Sequence, residues 1–214
     1  MPVDTLILHY TGMPSAAAAL ERLCDPAARV SSHYLIDEDG VVVAMVPEQA
    51  RAWHAGVSAW LGHEGLNDRS IGIELVNPGH EWGYRAFPEP QYEACIALCQ
   101  AIVARWPIPP RRVLGHSDVA PARKEDPGEL FDWPRLAAAG IGLWPADGEG
   151  APREVATLQA QLARFGYAVP QHGRCDRATE LVIAAFQRHF RPERVDGVAD
   201  RATLARLDGL LALL

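Results

Sequence analysis

His33-Tyr-Leu-Ile-Asp-Glu-Asp-Gly-Val-Val-Val-Ala-Met-Val46 sets two β-prone runs, 33–36 and 41–46, on either side of Asp37-Glu-Asp-Gly40. Acidic residues and glycine supply turn chemistry, so the segment predicts a β-hairpin. Working outward, Thr5 to His9 is an apolar run suited to a buried strand, and Ala16 to Cys24 is alanine-rich and helical. Ser70 to Val76 reads as a further strand, Pro88 to Trp106 as a long amphipathic helix, and Arg112 to Gly115 as a short strand feeding His116. Together these elements predict an α+β unit, a mixed sheet flanked by helices.

The composition changes near residue 148. All six tryptophans lie at or before Trp144, and 14 of the 17 prolines at or before Pro145. Pro145-Ala-Asp-Gly-Glu-Gly-Ala-Pro152 between the two parts is polar and carries no apolar periodicity, as in a linker. The expected domains are therefore 1–147 and 148–214. The second contains a weak repeat, Asp176-Arg-Ala-Thr179 and Asp200-Arg-Ala-Thr203, set 24 residues apart. In each, an Asp stands where a helix begins and can accept hydrogen bonds from free N–H groups. With Val155 to Phe165 this predicts a small three-helix bundle.

Length and composition set outer limits. The 214 residues are 49% hydrophobic and 22% charged, enough to bury a core. No stretch reaches the roughly 18 consecutive apolar residues of a membrane span. Twenty basic against 27 acidic residues give a net charge of -7, which disfavours nucleic acid as a partner. Met1-Pro2-Val3 runs directly into the first strand with no basic or apolar leader, which predicts a cytoplasmic protein, or a periplasmic one if a leader has been removed. Cys24, Cys95, Cys99 and Cys175 lack metal-binding spacing and are expected to be buried, reduced thiols.

Three residues stand out on chemical grounds: His9 and His116, each at the end of a strand, and Asp126 ten residues beyond the second histidine. Two imidazoles and one carboxylate make a catalytic zinc set when the fourth position is left to water. The competing reading of spacing alone is two packed or hydrogen-bonded histidines, since His9 and His116 are 107 positions apart. Glu74, in an alternating strand, reads by itself as a solvent-facing residue, and Lys124 as a surface cation.

Five motifs in order change this picture: Leu8-His-Tyr-Thr11, Ser32-His-Tyr-Leu-Ile36, Trp53-His-Ala-Gly56, Ser70-Ile-Gly-Ile-Glu-Leu75, and Gly115-His-Ser-Asp-Val-Ala-Pro121 followed by Arg123-Lys-Glu-Asp-Pro-Gly128. Residues 5 to 145 resemble the zinc-dependent N-acetylmuramoyl-L-alanine amidases of the AmpD and AmiD type. The tail resembles the three-helix peptidoglycan-binding domain, through Leu158-Gln159, Gly166-Tyr167, Asp176, Thr179, Phe186-Gln187, Asp196-Gly197, Asp200 and Thr203.

The resemblance implies one zinc ion held by His9, His116 and Asp126, with Glu74 as catalytic acid–base and Lys124 as the cation that stabilises a tetrahedral oxyanion. It places His54 and His33 near the pocket as candidate substrate contacts, against the reading of either as a core or supporting histidine. Arg123 is a candidate partner for a substrate carboxylate, against an ordinary solvated charge. Asp118 reads as a loop-capping residue. Trp53, Trp60 and Trp82 lie in loop-like stretches near the motifs, and His63, His80, His172 and His189 match no motif. The implied activity is hydrolysis of the amide between N-acetylmuramic acid, or its 1,6-anhydro form, and L-alanine of the stem peptide. The implied partners are muropeptides or peptidoglycan, and the implied role is cell-wall recycling or turnover. The alternative is a non-catalytic protein that binds peptidoglycan without cutting it.

Overall fold

A computed structural model describes residues 3–146 and 148–214. Strands β1 (Thr5–Tyr10), β2 (Tyr34–Ile36) and β3 (Val42–Ala44) join β6 (Ser70–Leu75) and β7 (Val113–Gly115) in one five-stranded sheet, ordered β3-β2-β6-β1-β7. β1 pairs in parallel with both β6 and β7, β2 pairs in parallel with β6, and only β2 and β3 are antiparallel. The expected hairpin is thus the one antiparallel element of a sheet that is otherwise parallel. A separate short ribbon, β4 (Ala59–Trp60) with β5 (His63–Glu64), has no counterpart in the sequence reading.

Central parallel strands are covered on both faces, and so become apolar throughout rather than alternating. β1 and β6 follow this rule, with every residue buried except Tyr10. On one face, Leu6, Leu8, Ile71, Ile73 and Leu75 pack with Tyr92, Cys95, Cys99 and Ile102 of α3 (Glu89–Arg105), and with Phe131 and Trp133. Cys95 and Cys99 are buried as expected, but Cys24 and Cys175 are exposed. Cys24 is the last residue of α1 (Ala16–Cys24) and Cys175 lies in a loop, so neither position faces a core.

The opposite face of the sheet has a different cover. Ile7, Leu114 and Val119 pack with Trp60 and Leu66, and this layer joins the core of the C-terminal helices α6 (Val155–Phe165), α7 (Arg177–Phe190) and α8 (Arg201–Ala212). Gly166 lies so close to Trp60 that a Cβ there would stand 2.4 Å from the indole. Its carbonyl also accepts the Leu61 N–H at 2.8 Å. The helical part is therefore packed onto the sheet through a shared apolar core. The boundary expected between residues 147 and 148 touches Asp147, which lies outside the described residues, as do Met1 and Pro2.

The weak repeat has a physical basis. Asp176 accepts from both the backbone N–H (3.0 Å) and the hydroxyl (2.9 Å) of Thr179, and Asp200 does the same with Thr203 at the same distances. A buried glutamine on the preceding helix then clasps each cap. The Gln159 amide donates to the Thr179 hydroxyl at 2.9 Å while its carbonyl accepts the Gly173 N–H at 2.8 Å. Gln187 donates to the Thr203 hydroxyl at 3.2 Å and accepts the Gly197 N–H at 2.8 Å. Helix, clasp and cap occur twice, which satisfies the otherwise orphaned N–H groups inside the bundle.

Candidate active site

Parallel pairing aligns strand ends, and ligand sites in such sheets form beyond the carboxyl ends of the strands. His9 pairs in register with Glu74, and Leu8 with Gly115, the residue before His116. One edge of the sheet therefore collects His9, Glu74 and His116 from three neighbouring strands. Asp126 is brought in by the loop after the short helix α4 (His116–Val119), where the Ser117 N–H donates to the Asp126 carbonyl at 3.0 Å.

The three expected ligands meet closely. His9 Nδ1 lies 3.0 Å from His116 Nδ1 and 2.9 Å from Asp126 Oδ2, and His116 Nδ1 lies 3.0 Å from the same oxygen. All three residues are buried, and they form the single such metal-capable group among the described residues.

The surrounding hydrogen bonds decide which ring nitrogens carry protons. His116 Nε2 faces the Ala55 carbonyl at 3.1 Å and must donate to it, which leaves Nδ1 bare in the neutral ring. Ser70 donates its hydroxyl proton to the Leu66 carbonyl at 2.7 Å, so it accepts from His54 Nε2 at 3.1 Å. His54 Nδ1 is then an acceptor, and takes the His9 Nε2–H at 3.0 Å. His9 Nδ1 is left bare in its turn. In the neutral rings, two imidazole lone pairs and a carboxylate oxygen thus converge with no hydrogen among them, an arrangement that a bound cation satisfies.

Ligand atoms of a tetrahedral zinc stand about 3.3 Å apart, given bonds of about 2.0 Å, so the triangle fits such an ion. Each imidazole also donates its outer N–H to a fixed acceptor, the support that metal-binding histidines usually have.

Electrostatics agree with this assignment. Burial, followed by repulsion from a proton on the neighbouring His116, lowers His9 to about 4, so its ring is neutral at pH 7. Burial would raise Asp126, but whenever the rings carry protons toward it the His116 charge and hydrogen bonds from both rings outweigh burial and hold the carboxyl well below the usual carboxylate range.

Glu74 is buried, contrary to the solvent-facing reading of an isolated alternating strand, because β6 lies inside the sheet and is covered on both faces. Burial first, and then the Asp126 charge, push it well above the usual value, with Lys124 opposing. Its Oε2 is buried without a hydrogen-bond partner. A carboxylate that is desolvated, unpartnered and next to a candidate metal site has the environment of a proton-transfer group.

Glu74 and the three convergent residues line a cleft of about 670 Å³, together with His54, Lys124 and Arg123. His54 reaches the cleft with both ring nitrogens already engaged, by His9 and Ser70. It sits on Gly72, where a Cβ would come within 2.5 Å of the ring, so β6 needs a glycine there.

His33 does not line the cleft. It is fully buried, accepts the Gly72 N–H at Nδ1 (3.0 Å) and faces the Ala50 carbonyl with Nε2 (3.1 Å), so the expected substrate contact is replaced by a backbone brace. Arg123 lines the cleft while its guanidinium donates to the Ala55 and Val57 carbonyls, at 3.3 and 2.5 Å.

Two residues that no motif marked belong to the same neighbourhood. His80 lines the cleft, hydrogen-bonded to the Tyr10 hydroxyl at 2.9 Å and to Glu129 at 3.2 Å. Tyr10 follows His9 directly, and that adjacency was the available signal for His80's neighbour rather than for His80 itself. His189, from the helical part, bonds Asp118 at 2.6 Å just behind His116. Of the three tryptophans near the motifs, Trp82 lines the cleft, Trp53 walls a shallow annex beside it, and Trp60 is core.

Residues 1–129 match the family model described as N-acetylmuramoyl-L-alanine amidase, and residues 152–207 match that of a peptidoglycan binding domain. The chain is 40% identical to the N-acetylmuramoyl-L-alanine amidase AmiD of Escherichia coli K12, over 98% of this chain and 82% of that protein. It is 46% identical to the 1,6-anhydro-N-acetylmuramyl-L-alanine amidase AmpD of Citrobacter freundii, over 51% of this chain and 57% of that one.

Among solved structures, E. coli AmiD in complex with anhydro-N-acetylmuramic acid-L-Ala-D-gamma-Glu-L-Lys superposes with a TM-score of 0.89 at 40% identity, covering 99% of this chain and 89% of that one. AmpDH3 from Pseudomonas aeruginosa gives 0.90 at 36% identity, covering 99% and 92%. The family match and the near full-length identity lead to one conclusion: this chain belongs to the N-acetylmuramoyl-L-alanine amidase family.

Proposed function

We propose that this protein hydrolyses the amide between the lactyl group of N-acetylmuramic acid, including its 1,6-anhydro form, and L-alanine of the stem peptide, with one zinc ion held by His9, His116 and Asp126. When bound, zinc supplies Lewis acidity for an amide carbonyl and acidifies water toward a pKa of about 7. The observation that carries the reading is the convergence of His9 Nδ1, His116 Nδ1 and Asp126 Oδ2 within 3.0 Å of one another.

The remaining roles fall to side chains of the cleft. Glu74, at the cleft wall, takes a proton from the attacking water and returns it to the departing amine of L-alanine. Lys124 faces the oxyanion that develops on the lactyl carbonyl, a kind of interaction worth about 3 kcal/mol elsewhere. Arg123 and His80 at the cleft wall orient the stem peptide. The choice of substrate is supported by the muropeptide complex of AmiD, a relative aligned along nearly the whole chain. The helical domain adds peptidoglycan as a partner, in keeping with its family match.

Incubation with an anhydro-muropeptide, followed by mass spectrometry, tests the proposal. Release of the intact stem peptide is expected, with Glu74→Gln retaining stoichiometric zinc and losing turnover, and Asp126→Ala losing both. Stoichiometric zinc with no peptide released would instead identify a binder of peptidoglycan.

A further inference from the structure

Asp118 has a set of contacts that the cleft chemistry does not use. It is 1% exposed, and lies in the single turn of α4 that begins at His116. Its Oδ2 accepts the Gly115 N–H at 2.8 Å, from the residue immediately before His116. The other two donors come from the helical domain: the Tyr167 hydroxyl to Oδ1 at 2.5 Å, and His189 Nδ1–H to Oδ2 at 2.6 Å.

Both donors are held rigidly. The His189 ring is sandwiched between Trp133, 3.7 Å away and 17° from parallel, and Phe190, 3.8 Å away and 8° from parallel. Tyr167 packs edge-on to Trp60 at 4.8 Å. A buried carboxylate with three fixed donors cannot rotate without leaving one of them unsatisfied. The strand end that presents His116 is thereby tied to two side chains roughly fifty and seventy residues away in sequence.

We propose that Asp118, anchored by Tyr167 and His189, is a positioning residue for His116, so that the helical domain sets the affinity of the metal centre. The inference rests on the zinc reading above. A carboxylate whose only role is packing would support thermal stability and leave the site of the folded molecules unchanged. A positioning carboxylate acts on the ligand geometry even when the fold is intact.

Competition for zinc between the full-length protein and a chromophoric chelator separates the two, with circular dichroism confirming helical content. Tyr167→Phe removes one hydroxyl and keeps the ring, and is expected to weaken zinc binding about tenfold, with Asp118→Asn weaker still. Leu207→Ala, in the core of the helical domain and without a bond to Asp118, serves as the control. It is expected to lower the melting temperature and to bind zinc as the parent does. Affinities of Tyr167→Phe and Asp118→Asn within about twofold of the parent would overturn the inference, as would an equal loss in Leu207→Ala. A parent protein that binds no zinc would overturn the zinc reading itself, and this inference with it.

Discussion

His54 Nδ1 lies 3.0 Å from His9 Nε2, and this contact fixes which face of the His9 ring is free to bind a cation. The chain of donors runs from His9 through His54 and Ser70 to the Leu66 carbonyl, entirely within the protein. Replacing His54 with Ala leaves the His9 N–H buried without an acceptor and frees the ring to turn. Zinc affinity should fall by about 10- to 100-fold, measured by chelator competition. An unchanged affinity would show that the His9 tautomer is set elsewhere.

Gly72 gives a second test of the same relationship. A methyl group there would stand 2.5 Å from the His54 ring, with backbone on one side and a buried ring on the other. Gly72→Ala should therefore push His54 away from His9 and reduce both zinc affinity and melting temperature. The stability loss should be about 1–3 kcal/mol, as for other overpacked cores, read from denaturant unfolding.

Glu48 makes stability depend on acid. Burial favours its protonated form, but hydrogen bonds from Arg105, Trp106 and Tyr34 outweigh this and hold it at about 2. A carboxyl depressed on folding contributes stability that is fully present above its unfolded value of about 4.3, and is lost as pH falls through that value toward the folded one. The stability of the parent should thus decline from about pH 5 downward. Glu48→Gln should cost about 2 kcal/mol near neutrality and show a flatter acid limb in urea titrations.

The caps of the helical domain predict smaller losses. Asp176→Ala and Asp200→Ala each remove a side-chain acceptor for a threonine N–H and hydroxyl, and each should cost about 1 kcal/mol in thermal or denaturant unfolding. The larger loss is expected at Asp200, which also pairs with the largely buried Arg191 guanidinium at 2.8 Å, whereas the exposed Asp176 has His172 at 3.0 Å as its further partner.

Gly166→Ala tests the contact between the two parts of the molecule. The residue has a φ of 149° and its absent side chain would collide with Trp60 at 2.4 Å. The expected cost is about 3 kcal/mol in unfolding experiments.

Much of the site could be read in the sequence because its members end strands. His9 closes an apolar run and His116 follows another, so both were visible as polar residues at the limits of buried segments. What the sequence could not supply was the partner on each face. An alternating strand read alone implies one wet side for Glu74, whereas the second face of β6 is covered by the His54 ring lying over Gly72.

Asp118 was legible as a turn residue from local chemistry, and it does accept the Gly115 N–H. Its bonds to Tyr167 and His189 depend on contacts 49 and 71 residues away, which no local pattern encodes. His33 and His54 occupy similar motifs, yet one braces backbone and the other braces the His9 ring, a distinction set by the neighbours of Gly72.

The wedge of Gly166 on Trp60 also limits how this molecule can meet an extended strand of cell wall. A module on a loose tether samples many spacings and can be exchanged for another of its kind. Here the two halves share one interior, so any polymer that touches both does so across a fixed gap, as between the jaws of a gauge. Transplanting a foreign helical unit would strip the cover from the very sheet face that carries His9.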